Sequence, residues 1–244
     1  MNRQYKLAIL HTIVFTLIFT QYATSNSKFE WLDNGLYDID LSNENGVVKV
    51  VDTSSRVFFV LLLCFPFITA LFHLGRGSGL LNSPIFRFIE YAITSSIMLY
   101  LLAISCGVMS FNDIIMLVTV NSCLMLIGCI IQLRLSDGGS ESGYLTAIAW
   151  TLFTVSWLPL ARSFFTAIDK LYEQDVLPPN LPSRATFQAM FYGLFAFFTS
   201  FGVVQTAEVF NCISRDSADI SYDILSATSK TTLVGLIAGG FFNR

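Results

Sequence analysis

Seven stretches of mostly apolar residues, at 5–22, 56–74, 84–108, 113–135, 144–168, 184–210 and 218–242, are set apart by short polar punctuation. A run of about 20 such residues is what an α-helix needs to cross the ~30 Å hydrocarbon core of a bilayer. The breaks are of the kind that stop helices: Gly75-Arg76-Gly77-Ser78-Gly79 after the second run, Asp137-Gly138-Gly139-Ser140 after the fourth, Leu177-Pro178-Pro179-Asn180 after the fifth. Only a few residues around Ser110 join the third run to the fourth. Composition agrees. Of 244 residues, 54% are hydrophobic and 13% charged, about half the charge of an average soluble domain. Too little polar surface remains to coat a water-soluble fold. A cytosolic enzyme and a disordered regulator are excluded. So is a nucleic-acid binder, since 14 basic against 17 acidic residues make no positive field. The expectation is an all-α membrane protein, one seven-helix domain over 1–244. The first run has a basic start and an apolar core, as a signal peptide would. No small-residue cleavage site clearly follows and it carries His11, so it is read as a helix. Cys64, Cys106, Cys123, Cys129 and Cys212 all lie in or beside apolar runs, which points to small apolar side chains rather than disulfides or a metal site.

The connection at 23–53 is the long one. It carries Glu30, Asp33, Asp38, Asp40, Glu44 and Asp52 around Trp31, Leu36 and Tyr37, and Val47 to Val51 has strand character. A small β-hairpin-like cap is expected there. Basic residues near the helix ends divide evenly. Arg3, Lys6, Arg76, Arg87, Arg134 and Arg215 fall on the face of the N-terminus; Lys28, Lys49, Arg56, Lys170, Arg184 and Arg244 fall on the other. Lys28 and Lys49 lie in the long loop and weigh less, while Arg3 and Lys6 flank the first helix, which usually dominates. The N-terminus is therefore expected in the cytoplasm and the C-terminus outside.

Charge inside a membrane span is costly and is a functional hypothesis by default. The candidates are His11, His73, Glu90, Arg162, Glu208, Asp219, Asp223 and Lys230. Lys230 falls near the middle of the last helix. His11, His73, Glu90, Glu208, Asp219 and Asp223 fall in the half toward the N-terminal face; Arg162, with Asp113 at a helix end, lies toward the other. Ser226, Asp223 and Asp219 precede Lys230 by four, seven and eleven residues, which at ~100° per residue puts all four on nearly one face. A lone ammonium at mid-bilayer needs an anion. Two readings stay open. Lys230 and Glu90 form a structural ion pair, or Lys230 carries an aldehyde cofactor as a protonated Schiff base that Glu90 neutralises. Trp157, Phe191, Phe195, Phe197, Phe198 and Phe201 are enough to line a slot for an apolar polyene, although phenylalanine is common in any membrane helix.

Two segments are specific. Pro84-Ile85-Phe86-Arg87-Phe88-Ile89-Glu90-Tyr91-Ala92-Ile93-Thr94-Ser95-Ser96-Ile97-Met98 and Tyr222-Asp223-Ile224-Leu225-Ser226-Ala227-Thr228-Ser229-Lys230 resemble the third- and seventh-helix signatures of the heliorhodopsins. Leu10-His11, Phe72-His73-Leu74 and the stretch from Asn121 through Gly128 fit the same family, so the resemblance spans the chain. It implies a rhodopsin-like bundle with all-trans-retinal on Lys230, Glu90 as counterion, Ser226 beside the Schiff base and Ser95 and Asn121 near the polyene. It implies His11 and His73 in a cytoplasmic-side polar pocket, an inverted orientation with the N-terminus inside, and a homodimer. The chain departs from the pattern at Phe88, where tryptophan is usual, in the short glycine-rich link between His73 and Glu90, and at Glu208 and Asp223, where uncharged residues are usual. The two extra acids either extend a proton path or sit solvated at the headgroup boundary.

The function implied is a photoreceptor: light isomerises retinal, the Schiff-base proton moves to the cytoplasmic-side polar cluster, and a long-lived state signals. The strongest rival is light-driven or light-gated proton transport through Glu90, Glu208 and Asp223. A receptor for a diffusible ligand lacks its marks, because the third helix has no Asp-Arg-Tyr end and the seventh no Asn-Pro-x-x-Tyr. A zinc hydrolase needs three or four ligands, and the chain has two histidines. No enzyme is expected, and no signalling partner is identifiable.

Overall fold

In a computed structural model the structure describes residues 2–24, 36–39, 48–51, 55–81, 83, 85–106, 108, 110–136, 142–173 and 183–242. Seven α-helices form among them: α1 (Arg3–Thr24), α2 (Ser55–Gly77), α3 (Ile85–Ser105), α4 (Phe111–Ser136), α5 (Ser142–Tyr172), α6 (Arg184–Val209) and α7 (Arg215–Phe242). Each helix packs on its sequence neighbour, and α1 closes the ring against α7. Five of them, α2 to α6, carry a window long and apolar enough to cross a membrane. This is an integral membrane protein, and side chains such as Leu17, Leu126 and Leu158, exposed on the bundle's outside, suit lipid rather than water.

Most helices begin or end a few residues away from the sequence expectation. α7 starts at Arg215 rather than Ala218 and so takes Asp219 into its second turn. α3 stops at Ser105, where Val108 N–H donates back to the Ala103 carbonyl at 2.9 Å and turns the chain into α4. Ser183 caps α6, its hydroxyl accepting from the Thr186 N–H, as serine before a first turn does. Beyond α6, Asn211 takes a left-handed φ of 57°, a conformation asparagine tolerates better than most residues. α2 and α5 contain Pro66 and Pro159.

Two four-residue strands, β1 (Leu36–Ile39) and β2 (Val48–Val51), pair antiparallel with Leu36 opposite Val51. The rest of the 23–53 connection, its Trp31 and most of its acids included, lies outside the described residues, as do the breaks at 137–141 and 174–182 and the terminal Arg244.

The buried apolar core is uneven. One large cluster, including Leu62, Phe65, Leu99, Leu102, Leu117, Trp157, Leu160, Phe164 and Leu233, fills the half of the bundle away from the N-terminus. The N-terminal half holds only a small one, built on Tyr91, Ala218 and Tyr222. Beside it, among the described residues, lie buried polar and charged side chains including His11, His73, Arg87, Gln132, Glu208 and Asp223.

Candidate functional site

Lys230 stands half-way along α7 and points into the bundle, 4% exposed. Its Nζ lies 2.6 Å from Glu90 Oε1 on α3 and donates at 2.7 Å to Thr69 Oγ1 on α2. Glu90 is fully buried, and its second oxygen has no partner. An ion pair removed from water repays its desolvation only when short and further hydrogen-bonded, and the Thr69 hydroxyl supplies part of that. The Tyr91 ring completes the surroundings, 5.5 Å from Nζ. Thr69 carried no sequence signal.

The α7 stripe continues toward the N-terminal face. Ser226 is buried with its hydroxyl unpartnered. Asp223, 1% exposed, is the hub of an ionic cluster. Its Oδ2 accepts from Arg3 Nη2 and Gln4 Nε2, both at 2.8 Å, and its Oδ1 accepts from Arg76 Nη1 at 3.1 Å. The solvated-boundary reading of Asp223 is thereby corrected: two arginines from other helices let the carboxylate sit inside. The amide oxygen of Gln4, Oε1, lies 2.7 Å from His73 Nδ1. His73 stacks on His11 with ring centroids 5.6 Å apart and planes within 4°. Both rings are buried, and both nitrogens of His11 and Nε2 of His73 lack partners. Asp219 pairs with Arg87 at 2.6 Å, and the Arg87 guanidinium lies 4.9 Å from the Tyr222 ring.

Glu208 is buried as well, which corrects the solvated reading for this acid too, but it stands apart. Gln132 on α4 donates to its Oε1 at 2.9 Å, and no ion pair or hydrogen bond among the described residues joins it to the histidines. Arg162 and Asp113 are exposed and do not pair with each other. All five cysteines are free, and no group of three metal-ligating side chains occurs among the described residues.

Beside Lys230 opens a cavity of about 910 Å³, counting its mouth. Its polar end is made by Lys230 and Ser226, and its walls by α3 to α7. Ser95, Asn121 and Phe198 line it, with Asn121 Nδ2 donating to Ser95 Oγ at 2.8 Å. Trp157 does not line it. It stands one layer behind, its ring 5.4 Å from Phe198 and 5.9 Å from Phe153, both of which do. The tryptophan on the wall is Trp150, fixed by donation from Nε1 to Thr206 Oγ1 at 2.9 Å. Two glycines make room for the wall. A Cβ on Gly202 would meet the Trp150 ring at 3.0 Å, and one on Gly128 would meet the Phe88 ring at 2.7 Å. The phenylalanine that departs from the family pattern thus seats directly on the glycine of α4.

A buried lysine paired across helices thus faces an aromatic-walled cavity. The Heliorhodopsin family profile matches residues 5–242. The chain belongs to the heliorhodopsin family. Solved structures extend the likeness at the level of fold. This heliorhodopsin is similar to the transmembrane domain and linker of the Salpingoeca rosetta rhodopsin phosphodiesterase, with TM-score 0.72 and 13% identity over 98% of this chain and 70% of that one. It is also similar to cyanorhodopsin from the cyanobacterium Tolypothrix sp., with TM-score 0.69 and 11% identity over 100% of this chain and 96% of that one. No curated protein sequence matches it.

Proposed function

We propose that this heliorhodopsin is a photoreceptor that holds all-trans-retinal as a protonated Schiff base on Lys230, with Glu90 as the counterion. The observation that carries the reading is the buried 2.6 Å contact between Lys230 and Glu90, with Lys230 on the wall of an aromatic cavity. The residues present fit the group. The cavity is long on aromatic wall, the only charge on its lining among the described residues is the amine that would be consumed in the linkage, and Ser226 Oγ and Glu90 Oε2 are buried with hydrogen-bonding capacity to spare. A structural ion pair alone explains neither the cavity nor those free atoms.

Retinal supplies the light absorption and the isomerisation; the protein supplies orientation and field. Glu90 holds a positive charge at the position of Lys230 Nζ. Thr69 gives that position a second oxygen. Phe198, Phe153 and Trp150 confine the polyene, and Trp157 backs Phe198 so that the wall cannot yield. Gly128 and Gly202 let Phe88 and Trp150 come close. The polar half below Lys230, with unpartnered nitrogens on His11 and His73, is where a proton leaving the centre finds acceptors. The large apolar cluster on the other side offers none. We place the N-terminus in the cytoplasm from Arg3 and Lys6, give β1 and β2 the role of a cap on the outer end, and assign a homodimer from family membership.

The test is colour. Purified protein given all-trans-retinal should show a visible band that borohydride bleaches and that Lys230→Ala lacks; a colourless wild type sinks the reading. One observation favours light-driven or light-gated proton transport instead: Glu208 is a buried carboxylate with a free oxygen, unused by the site above. Photocurrents measured over pH and voltage decide. A sensor gives no stationary current; a current that Glu208→Gln or Glu90→Gln removes assigns transport.

A further inference from the structure

We infer that Gln4, oriented by Asp223, fixes the tautomer of His73, so that Nδ1 carries the ring proton and Nε2 is the bare, proton-accepting nitrogen. The tautomer follows from the contacts alone; its use as an acceptor rests on the proposed function.

Arginine, carboxylate, amide and imidazole each have donor and acceptor roles that leave little freedom here. Arginine stays charged in proteins, and Arg3 and Arg76 both donate to Asp223. Asp223 is therefore a carboxylate, which can only accept. Gln4 must turn its amide NH₂ toward Asp223 Oδ2, the 2.8 Å contact. That leaves Gln4 Oε1, an acceptor, against His73 Nδ1 at 2.7 Å. Two acceptors at that distance would repel, so Nδ1 carries hydrogen and donates. A neutral imidazole has one N–H, and the lone pair falls on Nε2.

Nε2 is buried and has no partner among the described residues. It belongs to the ring that stacks on His11, inside the half that also holds Lys230 and Glu90. The charged and titratable groups around His73 are His11 on α1, Arg76 on its own helix, Glu90 on α3, and Asp223 and Lys230 on α7. None of them bonds to Nε2, so the acceptor is kept open while the opposite nitrogen is locked. Without the lock the ring proton could occupy either nitrogen, and the face presented to the interior would be a donor part of the time. Gln4 and Asp223 are positioning residues here, acting through His73 and not on the chromophore.

Nitrogen-15 spectra of histidine-labelled protein test this, with and without retinal, so a colourless preparation defeats the proposed function and leaves this measurement standing. The chain has two histidines, and His11→Gln assigns the His73 signals. Wild type is expected to show His73 with Nδ1 protonated and Nε2 bare. Gln4→Leu is expected to populate the opposite tautomer, with the helical circular dichroism retained. A wild-type His73 protonated on Nε2, or on both nitrogens, overturns the inference, and so does a Gln4→Leu protein that keeps the Nδ1 tautomer alone. Should Gln4→Leu not fold, the wild-type spectrum alone decides.

Discussion

The two halves of the bundle are stabilised by different physics. Away from the N-terminus, interdigitated leucines and phenylalanines pack between helices; contacts there are non-directional and individually small. Toward the N-terminus, α1, α2, α3 and α7 are tied by charges and hydrogen bonds: Asp223 to Arg3, Arg76 and Gln4, and Asp219 to Arg87. In a bilayer the apolar half gains little by hiding from lipid, which is as apolar as leucine, so shape fit decides its stability. The ionic half depends on every partner being present. Lys230 sits on the border, close to the packed half that gives it rigidity and the polar half that gives it proton partners.

Four substitutions test that contrast. The largest effect is expected at the border. Glu90→Gln leaves a buried cation unpaired, a change that costs about 3–5 kcal/mol; thermal unfolding of retinal-free protein measures it, and the retinal-bound form should absorb further to the red because the neutralising anion is lost. Next comes the packed half. Leu101, fully buried, truncated to alanine should lose about 3 kcal/mol by cavity formation, with the absorption maximum unchanged. A colour shift of the size seen for Glu90→Gln would erase the distinction between the halves. In the ionic half, Asp223→Asn removes charge-assisted hydrogen bonds, about 2 kcal/mol. The loss is tempered because Arg3 is half exposed and can turn to solvent. The smallest effect belongs to Arg162→Ala on the exposed face of α5, expected within about 0.5 kcal/mol and without spectral change.

Much of the centre was legible because it lies on single helices. The spacing of Asp219, Asp223, Ser226 and Lys230 follows from helical periodicity alone, and the structure buries the last three on one stripe. What crosses between helices was not. Thr69 meets Lys230 across 161 residues and Gln4 meets Asp223 across 219; a threonine and a glutamine among dozens of polar residues carry no mark of that. The same ignorance left Asp223 undecided, since whether an acid at that depth is solvated depends on Arg3 and Arg76 arriving from elsewhere. Aromatic richness was too degenerate to separate Trp150, on the cavity wall, from Trp157 behind it. Gly128 and Gly202 become meaningful only once Phe88 and Trp150 are seen leaning over them.

Pro66 lies within α2, three residues from Thr69. Lacking an N–H, it leaves the carbonyl of Leu62 one rung short on the helix ladder. A missing rung lowers the resistance to bending at that point. Pro66 therefore divides α2 into a segment with Leu62 and Phe65 and a segment with Thr69, His73 and Arg76. Any bend at Pro66 would move Thr69, His73 and Arg76 together relative to Leu62 and Phe65.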